Sequence, residues 1–450
     1  MNFLPEVFSI NSAMANGELV IGGCKATSLA REFGTPLFVV DEEDFKTRAT
    51  AWKSALNDNF GANAGQVYYA SKSFLSIEIA KWIAETGIGI DVCTGGELAV
   101  ALAANFPTNR IELHGNNKSE EEISKAIEVG VSKIVIDSMQ EIERVNRLAA
   151  ASGKIQKVLL RITPGVEAHT HEAISTAHED VKFGFSIASG IAWQAIQEVL
   201  SCANLSLEGL HFHIGSQIFE SEGFILATTR LIELGAKFRD EFKFELNELD
   251  LGGGYGIAYI AGEETYNPSE AMAAIAKLVK SECERHNLNI PKISIEPGRA
   301  IVGPTTTTIY EVGTTKDVEL DDGRTRRYIA VDGGMSENIR PALYGAEYSA
   351  ILASRTSMVP AINSRLVGKH CESGDIIIRE IDLPSDICPG DLIAVPATGA
   401  YGRSMASNYN HMLKPAVIAV INGTARLILR RETESDLLSL DVLEVARTIR

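Results

Sequence analysis

The chain has 450 residues, 45% hydrophobic and 7% aromatic, as expected for a globular protein with two or three domains. Its 42 basic and 59 acidic residues give a net charge of −17, which argues against a nucleic-acid partner because phosphate backbones select basic surfaces. The N-terminus shows no basic stretch before an apolar one, and no apolar run approaches the ~18 residues of a membrane helix. The six cysteines form no Cys-x-x-Cys pair, which favours reduced thiols in the cytoplasm over a zinc ribbon.

Strand and helix patterns alternate from about residue 45 to 303. The predicted strands are 67–70, 88–92, 111–114, 133–136, 158–162, 207–213, 246–251 and 293–296. The predicted helices are 45–56, 77–85, 97–103, 120–128, 140–150, 191–200, 223–242 and 269–285. This strict alternation favours an α/β fold with a closed (β/α)8 barrel of the TIM type, with a doubly wound open sheet as the alternative. The unusual residues follow strand ends, which is where barrel enzymes build their sites.

After about Gly303 the pattern changes to short β-rich runs separated by turn residues. The clearest runs are 328–331, 376–378, 392–395, 416–421 and 426–429. They predict a second, mostly β domain with a sandwich or barrel-like form, into which the run 37–40 could pair as an N-terminal strand. We therefore expect a barrel domain at 45–304 and a β domain made of 1–44 and 305–450.

Lys72 follows an apolar, strand-like run, Val67-Tyr68-Tyr69-Ala70-Ser71. A lone lysine at a strand end ordinarily solvates a loop. Burial at the mouth of a barrel would instead favour the neutral amine, the form that attacks an aldehyde.

Two histidines close the predicted strand 207–213, in His211-Phe212-His213-Ile214-Gly215-Ser216. At i and i+2 they share a strand face and could ligate a metal, as in barrel hydrolases that use zinc. Alternatively, His213 stacks on a flat cofactor and His211 is structural, which is the reading we favour. Ser216 can offer its hydroxyl and amide to a phosphate. A second pair, His169 and His171, lies in a long polar loop and is a weaker candidate.

A glycine run follows the next strand, in Asp250-Leu251-Gly252-Gly253-Gly254-Tyr255-Gly256. Consecutive glycines let backbone N–H groups converge on an anion without intervening side chains. The spacing does not match the dinucleotide fingerprint, and the chain has no Gly-x-x-x-x-Gly-Lys-Ser/Thr loop. The run therefore predicts a phosphate cradle or, taken alone, a tight turn.

The last barrel strand ends in Glu296-Pro297-Gly298-Arg299. A carboxylate emerging into an apolar barrel mouth needs a cation beside it. That cation could be a protonated pyridine nitrogen, which the carboxylate would strengthen as an electron sink, or Arg299 in a structural ion pair.

Three further motifs lie in the β-rich region. His370-Cys371-Glu372-Ser373-Gly374-Asp375 places a thiol and a carboxylate in a glycine-containing turn, although a free cysteine is most often inert. The segments around Arg340 and Tyr344 and around Tyr401 add groups that bind carboxylates and phosphates.

These motifs together resemble the diaminopimelate decarboxylases, a family of pyridoxal phosphate enzymes, along nearly the whole chain and in the family's order. The residues that carry the resemblance are Tyr69-Ala70-Ser71-Lys72, Gly95-Gly96-Glu97-Leu98, His211 to Ser216, Gly252 to Gly256, Glu296 to Arg299, Cys371 to Asp375, Gly399 to Gly402, and Met405 to Asn410. Each motif is weak alone, but the ordered set is specific.

The resemblance implies pyridoxal 5'-phosphate as the cofactor, with Lys72 holding its aldehyde, His213 on its ring and Glu296 at the ring nitrogen. Ser216, Gly254, Gly298 and Tyr401 would hold the phosphate, and Gly252, Gly253 and Arg299 would also line the cofactor site. Arg299, Arg340 and Tyr344 would bind the distal carboxylate of meso-diaminopimelate, and Glu372 its distal amine, with Tyr401 also near the substrate.

The resemblance also implies a homodimer with shared active sites, in which Cys371 of one chain donates a proton in the site of the other. The expected reaction is the decarboxylation that forms lysine. An ornithine or arginine decarboxylase of the same fold is the enzymatic alternative, and a zinc hydrolase or a non-catalytic homologue are alternatives of other classes.

Overall fold

The structure, a computed structural model, describes residues 3–165, 182–218, 222–243 and 245–442. The chain forms two compact units. One comprises Asp44–Ala258 and Gly262–Pro304, and the other comprises Met1–Glu43, Tyr259–Ala261 and Thr305–Arg450.

The N-terminal part of the second unit is built from four strands and one helix: β1 (Ser12–Ala15), β2 (Glu18–Ile21), β3 (Cys24–Lys25), α1 (Ala26–Phe33) and β4 (Leu37–Asp41). The first three strands form a small antiparallel sheet. β4 is buried along its whole length and belongs to the large sheet of the same unit.

Nine strands make up the sheet of the first unit: β5 (Gly65–Ala70), β6 (Gly89–Val92), β7 (Ile111–Leu113), β8 (Lys133–Ile136), β9 (Gln156–Thr163), β10 (Phe185–Ser186), β11 (Leu205–His211), β12 (Glu248–Asp250) and β13 (Lys292–Ile295). Eight of them pair in parallel and in chain order, and β13 returns to β5 with Ile295 opposite Val67, which closes the barrel. β10 is an extra strand beside β9. The predicted barrel is therefore confirmed, and the open doubly wound sheet is wrong.

The helices that precede, connect or follow the barrel strands are α2 (Glu42–Phe60), α3 (Ile77–Thr86), α4 (Gly95–Ala103), α5 (Glu120–Val129), α6 (Met139–Ala151), α7 (Ile191–Ser201), α8 (Glu222–Phe242), α9 (Pro268–Arg285) and the short α10 (Arg299–Val302). Several begin at a serine or threonine whose side chain accepts a hydrogen bond from the amide three residues on, namely Ser76, Thr94, Ser119 and Ser138. Such caps satisfy backbone donors that the first helical turn leaves unpaired, so the helix starts are set locally.

Two strands next to the glycine run are displaced from their predicted bounds. β11 begins earlier than predicted and ends at His211, so that His213 lies beyond the strand. β12 is limited to Glu248–Asp250, because Gly252 takes a φ of +66°, outside the β region, and ends the extended conformation.

The second unit continues with β14 (Thr306–Glu319), β15 (Thr325–Val331), α11 (Arg340–Tyr344), β16 (Ile351–Leu352), β17 (Ala361–Val367), β18 (Ile376–Pro384), β19 (Leu392–Val395), β20 (Ala416–Ile421), β21 (Thr424–Leu429) and α12 (Glu434–Leu438). The main path of its sheet runs β18-β17-β15-β14-β4-β20-β21, and β19 pairs with β14 and β16. As predicted, the N-terminal run pairs into this sheet: β4 is antiparallel to β14 and parallel to β20. Among the described helices, none has both the length and the apolar character of a membrane span.

Candidate active site

Lys72 lies in a short 3-10 turn, Ser71–Ser73, directly after β5, and its side chain is half-buried. Glu97, in the first turn of α4, fixes this turn from the side. Its Oε2 accepts hydrogen bonds from the Ser71 hydroxyl and from the amide of Cys93, each at 2.6 Å. The ends of β5 and β6 are thereby tied together beside the lysine.

The amine of Lys72 faces a group of buried titratable side chains. Burial is the main influence on the pKa values of Asp91, Cys93, His213 and Glu296, and the positive charge of Lys72 also acts on each of them. The predicted lysine, histidine and glutamate are therefore brought together at the strand ends.

Glu296 is 3% exposed and lies between two imidazoles. Its Oε1 is 3.1 Å from Nε2 of His211 and 3.2 Å from Nε2 of His114. Burial alone would raise the pKa of this carboxyl, but the charges of His114 and Lys72 and the adjacent imidazole of His211 together outweigh it and hold the pKa well below its usual range. Glu296 is therefore ionised, and its pairing is with histidines instead of the Arg299 partner that the sequence left open.

The two imidazoles differ in charge. Burial would lower the pKa of His114, yet the carboxylates of Glu296, Glu112 and Asp91 together outweigh that effect and raise it. Burial lowers the pKa of His211 to about 4, so this ring is neutral near pH 7. The sequence alone predicts no role for His114 and a structural one for His211, although both are at strand ends, where functional residues of barrels lie.

His213 has a different partner from His211. Its Nδ1 accepts a hydrogen bond from the amide of Gly253 at 3.2 Å, so the ring proton of the neutral form is on Nε2. Burial, followed by the charges of Lys72 and Arg161, lowers the pKa of His213 well below its usual range. The two histidines therefore differ in their contacts: His211 lies against Glu296, and His213 lies against the glycine run. His169 and His171 lie outside the described residues.

The glycine run packs against the ends of β11 and β13 with no room for side chains. Gly254 has a φ of +114°, and a Cβ on it would overlap the carbonyl oxygen of Gly215. A Cβ on Gly252 would overlap the carbonyl oxygen of Phe212. A Cβ on Gly298 would lie 2.7 Å from that of Ala70. Bare backbone of this kind can approach a phosphate closely.

Ser216 and Arg299 come together at the same end of the barrel. The Arg299 guanidinium donates from Nη2 to Oγ of Ser216 at 2.9 Å, and the side chain is 6% exposed. Arg299 opens α10, directly after the last barrel strand. A buried cation and a hydroxyl side by side suit an anionic ligand.

In the β unit, Arg340 is held among tyrosines. Its guanidinium lies 4.5 Å from the ring centre of Tyr259 and 5.3 Å from that of Tyr348, and it donates a hydrogen bond to the Tyr348 hydroxyl. Tyr401 is half-buried, and its φ of +60° is unusual for a tyrosine. Tyr344 ends α11 and is half-buried. Tyr259 and Tyr348 were not predicted from the sequence, because they lie outside the motifs.

Cys371 and Glu372 are exposed on a braced turn of the β unit. The Cys371 amide donates to Oδ1 of Asn410 at 3.0 Å, and the Tyr409 hydroxyl lies 3.5 Å from Oε2 of Glu372. His370 Nδ1 and Asp375 Oδ2 are buried beneath the turn, 2.8 Å apart, and stabilise it. The turn thus presents a thiol and a carboxylate outwards.

The barrel residues fit pyridoxal phosphate. Lys72 can hold an aldehyde, Glu296 can pair with a ring nitrogen, and the glycine backbones leave space for a phosphate. Both carboxyl oxygens of Asp91 are buried with no hydrogen-bond partner among the described residues, which leaves them for a bound group. Residues 42–303, more than half of the chain, match the family model of the pyridoxal-dependent decarboxylases, pyridoxal binding domain. Fold and site thus define a pyridoxal phosphate-dependent decarboxylase.

Comparison with named relatives shows which family of decarboxylases the chain belongs to. The chain is 52% identical over 447 residues to the diaminopimelate decarboxylase of Mycobacterium tuberculosis, covering 98% of this chain and 99% of that one. The structure of diaminopimelate decarboxylase from M. jannaschii in co-complex with L-lysine superposes with a TM-score of 0.89 at 31% identity, over 97% of this chain and 98% of that one. A lysine/ornithine decarboxylase of Vibrio vulnificus shares the fold, with a TM-score of 0.71 at 22% identity over 88% of this chain and 96% of that one. The chain belongs to the diaminopimelate decarboxylase family.

Proposed function

We propose that this protein decarboxylates meso-2,6-diaminopimelate to L-lysine and carbon dioxide, the last step of lysine biosynthesis. Membership of the family supports this reaction, and the relative with bound L-lysine supports its product. The observation in the structure that carries the proposal is the ionised Glu296 close to the half-buried Lys72.

In the barrel, Lys72 would hold the cofactor aldehyde as a Schiff base, and His213 would pack on the ring. When bound, pyridoxal phosphate draws electrons from the bond between Cα and the departing carboxylate. Glu296 would keep a proton on the ring nitrogen, because its own low pKa leaves that proton with the stronger base. Ser216, the glycines at 252–254, Gly298, Arg299 and Tyr401 would line the phosphate and cofactor site.

Substrate selection would come from the distal end of diaminopimelate. Arg299, Arg340 and Tyr344 would bind its distal carboxylate, and Glu372 its distal amine, with Tyr401 nearby. The buried guanidinium of Arg340 supports this assignment, because a substrate without that carboxylate would leave the cation without an anionic partner. Cys371 would return a proton to the carbon that has lost carbon dioxide.

We also propose a homodimer in which Cys371 and Glu372 complete the active site of the second subunit. Their exposure on the braced turn of a single chain supports this arrangement. The cofactor-binding domain would span 45–304, and the β domain would comprise 1–44 and 305–450. All six cysteines are free thiols, which supports a cytoplasmic location.

The decisive experiment is borohydride reduction of the purified protein loaded with pyridoxal phosphate, followed by peptide mapping. We expect the visible absorption to disappear and the label to reside on Lys72. A Lys118→Met variant, which removes another buried lysine of the barrel unit, should still be labelled. Label on a different lysine, or full decarboxylation by Lys72→Ala, would refute the assigned role.

The choice between substrates is tested by comparing kcat/KM for meso-diaminopimelate, ornithine and arginine. We expect diaminopimelate to be preferred by about 10⁴-fold, because ornithine and arginine lack the distal carboxylate that Arg299 and Arg340 would bind. Faster turnover of ornithine or arginine would make the protein a basic amino-acid decarboxylase of the same fold.

A further inference from the structure

The interior of the barrel contains a column of charged side chains. Barrels of this type are usually filled by bulky branched residues, so charges on the axis need an explanation. Glu112 on β7 and His114 just after it are two residues apart and share the inward face. Lys133 reaches the same space from β8.

The column runs from Lys133 and Glu248, the first residues of β8 and β12, to Glu296 directly after β13. Nζ of Lys133 lies 2.6 Å from Oε1 of Glu112, and Oε2 of Glu112 lies 3.6 Å from Nε2 of His114. The same Nε2 is 3.2 Å from Oε1 of Glu296. Lys133 also pairs with Glu248, which accepts a hydrogen bond from Ser294 at 2.6 Å.

The signs of the charges alternate along the column. Burial alone would raise the pKa of Glu112, but Lys133 and His114 together outweigh it and lower the pKa, so Glu112 is ionised. Burial would lower the pKa of Lys133, yet Glu112 and its other anionic neighbours raise it well above its usual range. Each buried charge is thus compensated by the next one, as buried ions require.

We propose that Glu112, which lies between Lys133 and His114, is a positioning residue of the decarboxylase that favours the protonated form of His114 beside the carboxylate of Glu296. The inference rests on the proposed function, in which Glu296 faces the ring nitrogen of pyridoxal phosphate. A charged His114 keeps the proton off Glu296 and therefore leaves it on the ring. Through this column, residues that do not touch the cofactor would influence whether its ring nitrogen carries a proton.

Other titratable or charged groups face the same atoms and stay in place when Glu112 is changed. Around His114 and Glu296 these are Lys72, Asp91, Arg161, His211 and Asp250. Around Lys133 they are Tyr68 and Glu248. Glu296 and Asp91 also favour the charged form of His114, so a loss of Glu112 should shift its titration without abolishing it.

The test compares Glu112→Gln with Glu248→Gln. Both variants remove one buried carboxylate from Lys133, but only the first removes the one beside His114. In the apoenzyme with ¹³C-labelled histidine, NMR should show the pKa of His114 falling by about one pH unit in Glu112→Gln. It should remain near the wild-type value in Glu248→Gln.

The second readout is ¹⁵N NMR of the enzyme loaded with ¹⁵N-labelled pyridoxal phosphate. In Glu112→Gln we expect the ring nitrogen to lose its proton at a lower pH than in the wild type and in Glu248→Gln. Should Glu112→Gln not fold, the double variant Glu112→Gln/Lys133→Met removes both members of the pair and carries the same expectation.

Two results would overturn the inference: an unchanged titration of His114, or a fallen His114 pKa with a ring nitrogen that titrates as in the wild type. A wild-type protein that forms no Schiff base with pyridoxal phosphate would refute the proposed function itself. The histidine titration of the apoenzyme separates these failures, because it does not depend on the cofactor.

Discussion

Nε2 of His211 lies 3.1 Å from Oε1 of Glu296, where the ends of β11 and β13 meet inside the barrel. Both side chains are almost completely buried. The imidazole is neutral near pH 7 and the carboxylate is ionised, so the ring serves as a polar partner while His114 supplies the charge. Because these buried groups differ in protonation, the stability of the protein should depend on pH.

Asp91 should make the apoenzyme less stable as the pH rises. Burial, with the charge of Glu296 adding to it, raises the pKa of this carboxyl from 3.8 to about 7. Between these values the unfolded chain loses a proton that the folded chain keeps, so stability is lost as pH rises through this window and then levels off. This pH-dependent loss of stability amounts to as much as about 4 kcal/mol at pH 8 and is negligible below pH 4. We expect it to be absent in Asp91→Asn.

The thermal midpoint of the apoenzyme, measured from pH 4 to pH 8, checks this expectation. Asp58→Asn, at an exposed helical position, is the control and should leave the pH dependence unchanged. An Asp91→Asn variant with the wild-type pH dependence would contradict the prediction.

Gly254→Ala should weaken the binding of pyridoxal phosphate by about tenfold or more, because displacing the cradle by a few tenths of an ångström costs upwards of about 1.4 kcal/mol. The added Cβ would overlap the carbonyl oxygen of Gly215, and the positive φ disfavours alanine. Gly262→Ala is the matched control, since Gly262 also has a positive φ but has nothing within 4 Å of its Cβ position. Equilibrium titration of both apoenzymes measures the effect; equal losses of affinity would mean that backbone strain alone is responsible.

Arg340→Lys should reduce kcat/KM for meso-diaminopimelate by about 10²-fold and leave that for ornithine nearly unchanged. Lysine cannot reproduce the planar fork that binds a carboxylate and stacks on Tyr259. Arg365→Lys is a suitable control, because Arg365 also lies over a tyrosine, Tyr328, in the same unit. Equal losses for both substrates would indicate a structural role for Arg340.

Mixing two inactive variants should restore activity if the active sites are shared. When Lys72→Ala and Cys371→Ala subunits are unfolded together and refolded, half of the dimers combine both chains and contain one intact site. We therefore expect about a quarter of the wild-type activity. The pair Lys72→Ala and Glu296→Gln should restore none, because Lys72 and Glu296 belong to the same barrel unit and each barrel of a mixed dimer then lacks one of them. Failure of the first mixture would place Cys371 in the site of its own chain.

The barrel and its strand order could be predicted because the signals are local. Apolar runs such as 133–136 and 158–162 specify strands, and the serine and threonine caps specify where helices begin. The glycine run was predictable as a bare cradle for the same reason, since a positive φ at Gly254 excludes other residues at the position itself.

The partners of these residues could not be deduced in this way. Closing the sheet brings β7, β11 and β13 around one axis, and only then do His114 and His211 meet Glu296. Likewise, the packing of Tyr259 and Tyr348 against Arg340 joins segments that share no motif. A residue's conformation follows from its neighbours in the chain, whereas its pKa depends on charges a few ångströms away in space, and folding alone brings those charges together.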